Sequence, residues 1–153
     1  MTNNLVVACS TFALGITAGL GTIWMMVLNG LLLGVIAAAT GRAGMAMQLW
    51  SFVAPHGVLE LPAIFIAGGA GLEIARGLLF PGLLPRRESL ARAGGRAARL
   101  LLGTVPLLFI AGIIEGFLSP SSLPAPLKLL FAAAMFGLLV AYLSRARRAP
   151  SAA

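Results

Sequence analysis

From Leu5 to Ala39 the chain carries no charged residue. An apolar α-helix needs about 20 residues to cross a bilayer, so this run can cross once with residues to spare. In lipid the run must be helical, because helices satisfy their backbone groups internally. Two readings of it stay open. It forms one long, tilted helix that crosses once, or a span joined to a broken half-helix. Gly19-Leu20-Gly21-Thr22 and Asn29-Gly30 are the points where it would break. The pairs Gly15/Gly19 and Gly30/Gly34 recur at helical spacing, and such small residues let helix backbones approach closely in lipid. They are read as helix-packing positions.

The rest of the chain has the same character. Of 153 residues, 59% are hydrophobic and only 10% are charged, whereas a soluble domain carries about 25% charged residues. The expected fold is all-α: a polytopic transmembrane helical bundle of about four spans plus a short re-entrant or interfacial helix, in one membrane domain over residues 1–153. The spans are placed at 5–39, 58–80, 100–118 and 127–143. Met45 to Ala54 reads as the short helix, ended by Pro55 and Gly57. Pro106 should kink the third span. Between spans lies a basic connector, 83–99, and after the last comes a basic tail, 144–153, with Arg145, Arg147 and Arg148.

Arginines flanking apolar segments mark cytoplasmic loops. The connector and the C-terminus are therefore expected in the cytoplasm, and the N-terminus with them if 5–39 crosses once. The net charge of +7 is read as topology. Anionic lipid headgroups are the partners expected at Arg86, Arg87, Arg92, Arg96 and Arg99, and no nucleic acid. Met1-Thr2-Asn3-Asn4 lacks the basic start of a cleavable signal peptide, so none is expected. The single Cys9 excludes an internal disulfide and is read as a packing residue.

This topology brings His56, Glu60 and Glu115 to one depth, in the outer half of the membrane, and Asn29 joins them if the first helix is long. Ala63, Ala67, Gly71 and Ala75 form a small-residue ridge on the side of the helix that carries Glu60, so Glu60 should face a tight helix contact. Glu73 points the other way, toward Arg76 at i+3. Lys128 is a candidate countercharge for the cluster. Gly112 and Gly116 make a further small pair beside Glu115. Three readings of the polar cluster compete. It satisfies backbone groups freed by prolines and glycines; it is an ion or proton site, as intramembrane carboxylates often are; or it is a metal or catalytic site. The last finds one histidine, a remote cysteine and no His-Glu-x-x-His pair. No metal site, catalytic residue or cofactor is assigned. No phosphate-binding glycine loop or nucleophile elbow is present.

Asn29-Gly30 with Leu33-Gly34, then His56-Gly57-x-x-Glu60-Leu61-x-Ala63-Ile64-x-Ile66-Ala67-Gly68-x-Ala70-Gly71, resembles the stage II sporulation protein M family. The later Ala111-Gly112-x-Ile114-Glu115-Gly116-Phe117-x-Ser119-Pro120 agrees, as does Asn3-Asn4. The resemblance implies a prokaryotic plasma-membrane protein. The name-giving member anchors a complex with two peptidoglycan-degrading proteins, so the implied role is a scaffold, not a hydrolase. Many relatives carry a further N-terminal portion before the Asn-Asn position that this sequence lacks. The expected function is a non-enzymatic scaffold or anchor in a cell-envelope complex, with other membrane proteins or further copies of itself as partners. A small transporter or channel subunit using the Glu/His cluster is the alternative, and an intramembrane enzyme comes third.

Overall fold

A computed structural model describes residues 2–148. These residues form five α-helices: α1 (Thr2–Ala13), α2 (Leu20–Arg42), α3 (Ala46–Leu79), α4 (Arg86–Phe117) and α5 (Ala125–Arg148), with a 3-10 turn at Leu14–Ile16. Helices α2 to α5 are each long and apolar enough to cross a membrane. Large apolar side chains such as Leu31, Leu32, Phe65 and Leu138 stand exposed, which suits a lipid solvent and would not suit water. The basic tail continues α5 to Arg148; 149–153 lie outside the described residues.

The run from Leu5 to Ala39 is two helices. The chain reverses at Thr17-Ala18-Gly19, where Ala18 (φ 56) and Gly19 (φ 84) are left-handed. Glycine takes that conformation at no steric cost, which is why the break falls here. The Thr17 hydroxyl closes the turn on both sides: it donates to the Leu14 carbonyl (2.7 Å) and accepts from the Gly21 N–H (2.8 Å). Asn29-Gly30, the other expected weak point, lies inside α2 without a break.

The short apolar helix is therefore at the N-terminus and not at 45–54. Met45–Ala54 is instead continuous with the next span in the 34-residue α3, which runs through Pro55 and Pro62. A proline removes one helical hydrogen bond, but unwinding the chain in lipid would strand several more backbone groups, so the prolines are absorbed. In the same way the connector and the third span are one 32-residue helix, α4, with Pro106 inside it.

Helix α3 is the axis of the bundle. Half of its apolar window is buried, against 6% for α2. Helix α4 runs antiparallel to it along its whole length. Ser89 Oγ donates to the Gly77 carbonyl (2.9 Å), and Arg96 meets Glu73. Ala97 then packs with Ala70 and Ile74, Leu108 with Ala63 and Ala67, and Ala111 with Leu59. Helix α1 runs parallel to α3, Ala8 joining Ala63 and Ala67 and Phe12 lying by Ala70 and Ile74.

The closest approach is between Gly15 and Gly71. A Cβ on Gly15 would collide with the Gly71 carbonyl, and one on Gly71 would meet Thr22 Oγ1 and the Thr11 carbonyl. The fully buried Thr22 donates to that Thr11 carbonyl (2.7 Å). Ala63, Ala67 and Ala75 are buried on the same ridge, with Gly19 against Ala75. The other small pairs do not pack within the chain. Gly30, Gly34 and Gly116 would carry a Cβ into open space, the first two because α2 leans away from α3 beyond Met26 and Gly68. Gly112 is half-buried. Cys9, read as a packing residue, is exposed.

Gly15→Val should destabilise the protein by about 1–3 kcal/mol, the usual cost of overpacking a tight core. Gly34→Ala should be neutral or slightly stabilising, since alanine favours a helix by up to about 1 kcal/mol. Thermal unfolding of the two purified variants in one detergent checks this; equal losses would mean that the Gly15–Gly71 contact is not close.

Candidate functional site

Small residues on the ridge of α3 bring α1 and α2 against it, but only over the half near the 17–19 turn. Beyond that seam α2 diverges, and a cavity of about 290 Å³ opens between α1, α2 and α3. Asn3 and Asn4 reach it from α1, Asn29 and Gly30 from α2, and Gly57 and Glu60 from α3. The rest of the wall is apolar. Leu32, Ile36, Leu61 and Phe65 line it and are also exposed, so the cavity opens sideways between α2 and α3.

Glu60 is its only charged lining residue and is 7% exposed. Its Oε1 has no hydrogen-bond partner among the described residues. Asn29 donates Nδ2 to the Met25 carbonyl one turn back (2.8 Å), which leaves its amide oxygen as an acceptor.

Glu60 and Asn29 thus share a cavity, while His56 does not line it. His56 is buried and turns to α4, its Nδ1 lying 2.9 Å from Ser119 Oγ. Phe52 packs edge-on to the imidazole, with centroids 5.9 Å apart. Glu115 is half-buried on α4, four residues before Ser119. One turn apart on α3, the two groups have different neighbours: Glu60 lines the cavity against α1 and α2, and His56 meets Ser119 past the end of α4.

Lys128 is no countercharge to Glu60. Its buried Nζ donates to the Ser119 and Ser121 carbonyls at 2.8 and 2.7 Å, fastening α5 to the loop that follows α4. It satisfies two carbonyls of that loop. Ser119 thereby joins His56 to Lys128.

Glu73 and Arg76 do approach, at 3.6 Å, but the stronger partner is Arg96 of α4, at 2.6 and 2.8 Å from Glu73 Oε1. Of the arginines assigned to lipid headgroups, Arg92 pairs with Glu88 and Arg96 with Glu73. Arg99 lines an apolar groove of about 520 Å³ with Tyr142, where α4 and α5 splay apart over α3. No three of His, Cys, Asp and Glu converge as a metal-binding group among the described residues.

Sequence reasoning missed the buried hydroxyls Thr11, Thr22 and Ser89 and the role of Ser119. Small hydroxyl residues inside apolar helices are the signal that marks such contacts.

An uncharacterized protein of Methanocaldococcus jannaschii is 29% identical over 122 residues, covering 78% of this chain and 68% of its own length. No solved structure matches this chain. Stage II sporulation protein M is the family whose description matches, over residues 1–120. The matched region takes in α1 to α4, the Glu60 cavity and the His56–Ser119 contact, and the chain belongs to the stage II sporulation protein M family.

Proposed function

We propose that this protein is a non-enzymatic membrane scaffold or anchor for a cell-envelope complex, with peptidoglycan-remodelling proteins as its class of partner. The observation that carries this reading is the state of α2. It stands at the edge of the bundle, with 6% of its apolar window buried. Gly34 and Ala38, at i, i+4, are exposed on it, and Gly30 one turn earlier lies at the cavity's edge. No atom lies within 4 Å of where a Cβ would sit on either glycine. A flat helix face of this kind admits another transmembrane helix closely, either from a partner or from a second copy of this chain.

The arginine-rich end of the bundle, with Arg86, Arg87 and Arg99, is the cytoplasmic one in this reading. These arginines meet anionic headgroups there. A small transporter or channel subunit is the second reading, favoured by the unpartnered Glu60 oxygen in its cavity.

A photo-crosslinker in place of Gly34 should give discrete protein adducts in native membranes, and one in place of Leu138 on α5 should not. Gly34→Ile should abolish those adducts when the crosslinker is moved to Ala38, with the melting temperature unchanged. Lipid adducts alone from Gly34 would sink the scaffold reading. For orientation, Leu83→Cys in a Cys9→Ala background should react with an impermeant maleimide only from the cytoplasmic side, and Ser121→Cys only from the outer side. Reversed labelling would invert the bundle.

A further inference from the structure

We propose that the cavity between α1, α2 and α3 binds a monovalent cation, with the Glu60 carboxylate as its countercharge and the Asn29, Asn3 and Asn4 amide oxygens as neutral ligands. Glu60 Oε1 is buried and has no hydrogen-bond partner among the described residues. An uncompensated carboxylate oxygen in an apolar setting is far costlier than an unpaired hydroxyl. Glu60 lines a cavity that has room for a ligand, about 290 Å³.

The donor set decides the class of ligand. Every assigned ligand atom is oxygen, which selects hard cations over those that prefer sulfur or imidazole. A single carboxylate balances a single positive charge, and no lysine or arginine lines the wall to compete for it. Divalent ions of this kind usually draw more carboxylates than one. The first turn of α1 meets the cavity through Asn3 and Asn4. Asn29 is held for the task, since its Nδ2 is committed to the Met25 carbonyl.

Two sources offer this chemistry. One is a free alkali ion. The other is the primary ammonium of a lipid headgroup, entering through the lateral gap beside Leu32, Ile36, Leu61 and Phe65. The apolar rim suits the lipid source, and the amide oxygens suit both.

Thermal unfolding of the delipidated protein in a non-ionic detergent tests the proposal. One arm titrates sodium, potassium or lithium chloride against N-methylglucamine chloride at constant ionic strength. The other adds phosphatidylethanolamine, with phosphatidylcholine as the control. A saturable rise in melting temperature in either arm is expected, because a ligand of the native state stabilises it by mass action. The arm that responds identifies the source.

Glu60→Gln should abolish the rise. Asn29→Ala, which keeps the carboxylate, should raise the half-saturating concentration by about tenfold, the scale of one lost ligand contact. Asn29→Ala also serves if Glu60→Gln does not fold. The proposal is overturned if neither arm responds. It is equally overturned if the response survives in Glu60→Gln, or if Asn29→Ala binds like the wild type.

Discussion

Two backbones meet where Gly15 and the Thr11 carbonyl crowd Gly71, and the rest of the bundle is arranged around that meeting. Lipid supplies no hydrophobic force between helices, so association rests on close packing and interhelical hydrogen bonds. Both occur at this point. Glycine at 15 and 71 removes the side chains that would hold the helices apart, and the Thr22 hydroxyl ties α2 to the Thr11 carbonyl of α1. The turn at 17–19 makes this geometry available, because it folds α1 back along α2 within a few residues.

The same seam explains where the cavity lies. Pinned at Thr22 and Met26, α2 follows α3 for about two turns and then leaves it, until the turn at 43–45 brings the chain back into α3. Glycines 30 and 34 fall on the divergent part, so their openness is a consequence of the pinning. The α3–α4 pair has no such gap. Ser89, Ala93, Ala97 and Leu108 meet α3 in antiparallel register from one end toward the other. The fold thus has one closed face and one that opens.

Much of this was legible in the residues. The long apolar runs mark the four long helices, and the Ala63-Ala67-Gly71-Ala75 ridge marks the packed face of α3. The helix boundaries were harder. Pro55 and Gly57 are strong breakers in water, and they were read with aqueous rules at a position where lipid forbids the break. Depth and helical spacing place His56 and Glu60 one turn apart on α3, but they do not give the partners: His56 meets Ser119 and Glu60 lines the cavity. A charge in the sequence suggests a carboxylate partner for Lys128, but its ammonium donates to two carbonyls of the loop after α4.

The bland reading of Glu60, a polar group spent on backbone satisfaction, can be weighed against its neighbours. His56 has Ser119, Lys128 has two carbonyls, and Glu73 has Arg96 and Arg76. Two buried side-chain atoms among the described residues lack a partner, Thr11 Oγ1 and Glu60 Oε1. A buried neutral hydroxyl costs about 1–3 kcal/mol, which a packed threonine methyl offsets. A carboxylate has no methyl to offer and a larger penalty to meet. A residue kept for satisfaction would have both oxygens satisfied, and Glu60 Oε1 has no partner among the described residues. Its position is therefore better explained by a group that arrives from outside the chain than by one that the fold already supplies.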